Sequence, residues 1–482
     1  MNKNDREIHQ MLLNRRRWLK FSGATLAGAL GATGLSSLIS PAAHAQSAYK
    51  ALVCVFLYGG NDGMNMVVPT DSTRHGQYAG VRQALALPQG SLLPITGTNF
   101  GLHPAMARLS GAIADNKLAP VFNVGPLGAP LTKAEWLAPR DNILKIPENL
   151  FSHSDQQLLW EAAGRSTVIR TGWGGRASET LHTTNPVISV AGNGHFGLSA
   201  LNAPLVLPEP GGTFGLEGLS GTWAPTVARK AALQALYAEG NLGSTNEMFN
   251  AYVRQQRDAF DMGERLNSVV ALEPGDAGMQ TIDAAFAPLI AGGRVQTGIG
   301  RQLYQVAKLI QERSTVHGNS QIFMAGQGGY DTHNEQVAAS STEGQHARLL
   351  GDLANAMGCF YAALKAIGLS ENVTLFTQSD FGRTFAPNSS DGTDHAWGNH
   401  HLVMGGAVRG GATYGTYPTL ELLGPEDVGN NEWDRQGRWI PSTSVDQYAS
   451  TLLSWFGASD PQLATILPNL TNFSTRNLGF LG

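Results

Sequence analysis

The sequence predicts an α/β fold with a mostly parallel central sheet, and three observations lead there. Short, wholly apolar runs each stop at a glycine-rich or polar turn. Between them lie stretches with apolar residues at i, i+3, i+4 and i+7, the spacing of one helix face. The composition, with 42% hydrophobic residues, 15% charged residues and 58 glycines in 482, excludes two other classes. That is too apolar and too weakly charged for a disordered chain, and too rich in glycine for a coiled coil.

The elements follow in chain order. The first 45 residues read as an address. Arg15-Arg16-Arg17-Trp18-Leu19-Lys20 is followed by a Gly/Ala-rich apolar run from Ala24 to Ser40 and an Ala43-His44-Ala45 exit. Basic, apolar and small-residue regions in that order make a signal peptide, and the paired arginines resemble a twin-arginine signal. Cleavage after Ala45 is expected, so the twin-arginine translocation machinery is an expected partner and the periplasm the expected destination. The apolar run is too short and glycine-rich for a membrane span of about 20 residues. Without the leader, 27 basic residues face 35 acidic ones, a formal charge of −8. No basic stripe appears, which argues against nucleic acid as a partner.

Residues 46–482 read as a single domain. Ala51–Leu57 is the first strand, apolar on both faces as a buried parallel strand is, and it stops at Tyr58-Gly59-Gly60-Asn61-Asp62. Pro120–Val124 is the second. Gln321–Ala325 is the third, followed by a loop with Asp331-Thr332-His333. Asn372–Thr377 is the fourth, followed by Asp380-Phe381-Gly382-Arg383. Leu402–Met404 begins the fifth. Helices are predicted through Leu303–Ile310, Leu349–Leu364 and Thr443–Trp455, the last with Thr443 and Asp446 as its capping box. Residues 211–280 lack strand runs and read as a helical insertion. The two cysteines, Cys54 and Cys359, lie in apolar surroundings and read as buried free thiols.

In parallel sheets ligands bind beyond the carboxyl ends of the strands. Three predicted strands are followed there by an aspartate: Asp62, Asp331 and Asp380. The densest group of titratable residues is Asp391 to His401, with Asp394, His395, His400 and His401. Carboxylate and imidazole together suit Zn or Mn, and carboxylate also suits Ca. Each residue has a plainer alternative. Asp62 could cap a helix or fill a turn, Asp331 could cap a helix near Asn334, and His400 and His401 could simply be packed. Ser152, at the start of a predicted helix, is the nucleophile candidate or an N-cap. His153 and Asp155 beside it are lesser candidates for acid–base work or ligation. Arg383 could hold an anion in its fork or pair with a nearby acid. His103 reads as structural.

Taken together, Gly-Gly-Asn-Asp (59–62), Ser-His-x-Asp (152–155), Tyr-Asp-Thr-His (330–333), Ser-Asp-Phe-Gly-Arg-Thr (379–384), Gly-Thr-Asp-His (392–395), Val-Asp-Gln-Tyr (445–448) and Trp-Phe-Gly (455–457) resemble an exported bacterial family. This is the domain of unknown function family fifteen-oh-one. That family in turn resembles the alkaline phosphatase and sulfatase superfamily. The resemblance implies a three-layer α/β/α fold and a metal-dependent hydrolase of phosphate or sulfate esters. Ser152 would be its nucleophile, and Arg383 would hold a small anionic ester substrate. Asp62, Ser152 and Asp380 would surround one divalent ion, and Asp331, His333 and His395 another, with Asp394, His400 or His401 as a possible substitute ligand. Phe381 stands where the superfamily has a histidine. This departure motivates the alternative, a non-catalytic scaffold that binds metal, glycan or another exported protein.

Overall fold

The computed structural model describes residues 49–215, 219, 223–238 and 247–482. The signal peptide expected over residues 1–45 lies outside them. Strand β1 (Lys50–Leu57) is buried almost throughout because its two faces feed two different cores. Ala51, Val53, Val55 and Leu57 enter one core; Leu52, Cys54 and Phe56 enter the other. The strand period of two puts alternate residues on opposite faces. Burying each Val, Leu or Phe contributes roughly 1.5–3 kcal/mol.

Eight further strands complete the sheet: β2 (Leu118–Gly125), β3 (Ile188–Ser189), β4 (Leu205–Val206), β5 (Ser320–Gln327), β6 (Val373–Ser379), β7 (Asn399–Gly405), β8 (Tyr414–Gly415) and β9 (Thr443–Ser444). Their order is β8-β2-β7-β6-β1-β5-β3-β4, with β9 alongside β2. Among these strands only β7 runs against its neighbours; the remaining pairings are parallel. The central strand β1 lies between β5 and β6, so the loops after these three strands emerge side by side at one edge.

The principal helices are α1 (Ser72–Arg82), α2 (His153–Ala162), α3 (Trp173–Thr180), α4 (Ala224–Leu236), α5 (Glu247–Val270), α6 (Gln280–Phe286), α7 (Gly298–Gln311), α8 (Gln345–Ala366), α9 (Val445–Phe456) and α10 (Asp460–Ile466). Residues of α5 to α8 fill one core; residues of α2, α3, α9 and α10 fill the other. Helices therefore cover both faces. The N-cap of helix α9 falls one residue later than the sequence suggests. Its capping box is Ser444 with Gln447, not Thr443 with Asp446. Asp446 is turned inward and accepts from the Asn469 backbone N–H at 3.1 Å. Cys54 and Cys359 are buried and free. Among the described residues no helix is long and apolar enough to cross a membrane.

Candidate metal centre

The loop after β1 must turn sharply beneath the loops after β5 and β6, and Gly59 and Gly60 permit it. Both have positive φ, +110° and +77°. A Cβ on Gly59 would lie 2.5 Å from the Asp331 backbone nitrogen, and one on Gly60 would lie 2.5 Å from the Phe381 ring. No larger residue fits at either position. The tight turn lets Asp331, in the loop after β5, and Asp380, just past β6, approach the first turn of α2.

Three histidines converge there on one carboxylate oxygen. From Asp331 Oδ1, His333 Nε2 lies at 3.1 Å, His153 Nε2 at 3.3 Å and His395 Nε2 at 3.6 Å. His333 Nε2 and His395 Nε2 are 2.9 Å apart. Among the described residues, His153, Asp331 and His395 form a group whose ligand atoms all lie within 4.8 Å of one another.

The opposite ring nitrogens settle what these Nε2 atoms carry. His153 Nδ1 faces Asp380 Oδ2 at 2.7 Å, His333 Nδ1 faces Asp394 Oδ1 at 2.8 Å, and His395 Nδ1 faces the Phe151 carbonyl at 2.7 Å. A carboxylate or a carbonyl can only accept, so each Nδ1 holds the proton. In the neutral rings all three Nε2 atoms then present lone pairs to the same space, beside a carboxylate. Among the described residues, His153 Nε2 has no hydrogen-bond donor to relieve it. Lone pairs gathered in this way repel unless a cation or shared protons lie among them. Histidines backed by carboxylate or carbonyl at Nδ1 are also the usual setting of metal-ligating imidazoles.

Charges around the cluster act in the expected directions. The hydrogen bond to Asp380 raises the His153 pKa against the opposing effect of burial. Burial lowers that of His395. Burial would raise the Asp331 carboxyl, but the hydrogen bond and charge of Arg383 hold it below the ordinary carboxylate range. Asp394 is likewise held low, against burial, by its bonds with His333 and Asn388.

The structure gathers three of the residues picked from sequence, Asp331, His333 and His395, as potential ligands. Asp380 and Asp394 stand one step behind, orienting His153 and His333. Asp380 is further fixed by the Gly59 N–H and by Gln157 Nε2 at 2.9 Å. His153, the lesser candidate, enters the cluster; its signal was the Ser-His-x-Asp run at a helix start. Ser152 occupies the N-cap position of α2 but its hydroxyl does not cap the helix. Instead it lies 3.3 Å from the Ser154 hydroxyl.

Asp62 does not join the cluster. It is buried, caps the turn at Gly63–Met66, pairs with the Arg82 guanidinium and accepts from Gln336 Nε2 at 2.6 Å. Arg383 is no open anion fork. It donates to the carbonyls of Gly60, Thr393, Gly59 and Tyr330, and to Asp331 at 2.5 Å. With its side chain wholly buried, it ties loops together and holds Asp331. The Phe381 ring packs 4.7 Å from both the His153 and the His395 ring, a wall rather than a ligand. His400 and His401 are core residues: burial pushes each down to about 3, so both are neutral. His103 is also buried, its Nδ1 accepting from the Ala105 N–H at 3.1 Å. Among the described residues no helix begins near Asn334, so Asp331 is not a cap.

A family model described as Protein of unknown function (DUF1501) matches residues 49–428. No curated protein matches the chain. Among solved structures, Ps i-CgsB in complex with k-i-k-neocarrahexaose is 11% identical, with a TM-score of 0.32, covering 86% of this chain and 74% of that one. Ps i-CgsB without that addition is 10% identical, with a TM-score of 0.30 and coverages of 88% and 77%.

Proposed function

The chain belongs to that family, and from this premise we propose that it is an exported, metal-dependent hydrolase of phosphate or sulfate esters. One divalent ion would be held by His153, Asp331, His333 and His395. The observation that carries this reading is the convergence of three Nε2 lone pairs on Asp331 Oδ1. Three imidazoles and one carboxylate suit Zn, and less well Mn. Ca, which takes six to eight oxygens, fits poorly.

A bound ion would supply Lewis-acid polarisation of an ester oxygen or of a nucleophile. The chain's own residues do the rest. Asp380, Asp394 and the Phe151 carbonyl fix the three rings. Arg383 anchors Asp331. The Ser152 hydroxyl, not engaged in capping α2, is the nucleophile that adjoins His153 in sequence.

A second reading, a metal-binding scaffold without turnover, is favoured by one observation. Arg383 donates into the protein, so it does not serve an anionic substrate. Metal analysis of the natively exported protein separates the possibilities. One equivalent of Zn or Mn is expected, lost in a His333→Ala, His395→Ala double variant. Equal, near-zero metal in both proteins overturns the metal centre. If the centre stands, ester hydrolysis that disappears in Ser152→Ala supports the enzyme. Activity absent from the native protein, or unchanged in that variant, rules out the serine mechanism.

A further inference from the structure

One turn below His153, the layer between α2 and the sheet contains polar side-chain atoms that bond to nothing among the described residues. Gln156 and Trp160 stand four residues apart on α2 and so share one face of it; neither has any exposure. On the sheet, the antiparallel register pairs Thr374 with Gly405 and Phe376 with Val403. Past that pair the ladder gives way to side-chain bonds: the Leu402 N–H donates to Thr377 Oγ1 at 3.0 Å, and Thr377 Oγ1 lies 3.4 Å from His401 Nδ1. Phe376, Val403, Cys54 and Trp160 belong to the core that α2 covers, and the contacts of Gln378 with Cys54 and of His401 with Trp160 put both side chains on that side. The Trp160 ring meets the His401 ring edge-on at 4.8 Å. The Cys54 thiol donates to Gln378 Oε1 at 3.5 Å.

Five buried atoms in this layer have no partner among the described residues: Gln156 Oε1 and Nε2, Trp160 Nε1, Gln378 Nε2 and His401 Nε2. Buried polar groups in native proteins are almost always hydrogen-bonded, and a group left unsatisfied is strongly destabilising. The set mixes donors with acceptors and carries no charge, since burial keeps His401 neutral. An ion is therefore a poor match, and so is an apolar ligand. Water, which both donates and accepts, matches.

The geometry points to a site for ordered internal water that bridges Gln156 and Trp160 of α2 to Gln378 of β6 and His401 of β7. It lies directly behind the metal centre. Gln378 is two residues before Asp380, and Gln157, next to Gln156, holds the Asp380 carboxylate. The bridges therefore set how α2 rests on the sheet, and with it where the first turn carries His153.

A crystal structure of the native chain, at a resolution that reveals ordered water, tests this. Density within hydrogen-bond distance of Gln378 Nε2, Trp160 Nε1 and at least one Gln156 polar atom is expected. Direct bonds among these side chains with no density between them overturn the proposal. Thermal unfolding gives an independent reading. In a hydrated layer, Gln156→Met and Gln378→Met strand the water's remaining partners, and each lowers Tm by several degrees. An unchanged or raised Tm in both variants means a dry layer and overturns the proposal. Neither readout involves metal, so this inference stands or falls separately from the metal centre.

Discussion

Two acid clusters lie behind neighbouring strand ends, each paired with a buried arginine, and they differ in what else surrounds the carboxylate. Around Asp62 the cation is built in. The Arg82 guanidinium pairs with Asp62, both side chains wholly buried, and also donates to the Thr384 and Phe385 carbonyls at 3.2 Å. Gln336 completes the enclosure, donating to Asp62 and accepting from Thr332 at 3.1 Å and Thr393 at 2.7 Å. Around Asp331 the nearest group is the Arg383 guanidinium, 2.5 Å from Oδ1; three imidazoles turned so that their lone pairs face inward lie 3.1, 3.3 and 3.6 Å from the same oxygen, and the carboxylate is about half exposed (47%). Arg383 approaches from the protein side only. The first cluster fastens loops to one another. The second adds three imidazoles and solvent access to its arginine, and on these the proposed metal site rests. An acid at a strand end is therefore no evidence of a ligand until the source of its counter-charge is known.

The largest effect separates the clusters by stability. Asp62→Ala leaves Arg82 charged, buried and unpaired, and should cost about 3–5 kcal/mol of folding stability in chemical denaturation. Asp331→Ala should cost much less, because the Asp331 carboxylate is about half exposed and water can take its place beside Arg383, yet it should abolish metal binding. If Asp331→Ala proves the more destabilising change, the division into a structural and a receiving cluster is wrong.

A smaller effect sharpens the receiving side. Asp394 touches no inward-facing nitrogen; it holds His333 through Nδ1. Asp394→Asn should therefore weaken Zn affinity by about 10–100-fold, measured by competition with a chelator, while Tm moves little. Affinity equal to that of the native chain would mean that His333 needs no orientation, and hence is no ligand.

The difference between the clusters also marks how far the sequence could be read. The strands were legible because β1, β5 and β6 are buried on both faces, and a short, continuous apolar run closed by a turn suits little besides a buried strand. The short strands β3, β4, β8 and β9, two residues each, carry no such pattern. Asp331, His333 and His395 were legible as acids and histidines near strand ends. Asp62 looked equivalent because its neutralising partner is 20 residues away on α1, a pairing that nothing local reveals. His153 is masked in the sequence by the more conspicuous Ser152 beside it. The role of Arg383 was hidden because a buried arginine spends its donors on backbone carbonyls, which sequence does not display. Phe381 reads as a lost ligand in sequence; in the fold its ring packs against both His153 and His395.

The last prediction uses pH to set Asp62 against a buried carboxyl that has no close cation. Burial pushes both carboxyls up. For Asp62, the charges of Arg82 and His346 and the hydrogen bonds of Gln336 and Arg82 outweigh burial and hold it below its ordinary value of 3.8. For Asp446, hydrogen bonds from Asn469 and the charge of Arg176 do not, and it is pushed up to about 7. The two therefore act on stability with opposite sign. Asp62 contributes stability above pH 3.8, which is lost only as pH falls through its lower folded value. Asp446 binds its proton in the folded chain and not in the unfolded one between pH 3.8 and about 7, so stability falls as pH rises across that window. Asp446→Asn keeps an oxygen for the Asn469 N–H and cannot ionise. Denaturation midpoints of this variant, relative to the native chain, should be favoured progressively from about pH 4 to about pH 7, with the difference closing toward the acid end. A difference that stays constant with pH would mean that Asp446 is ionised throughout, with a cation satisfying it as fully as Arg82 satisfies Asp62.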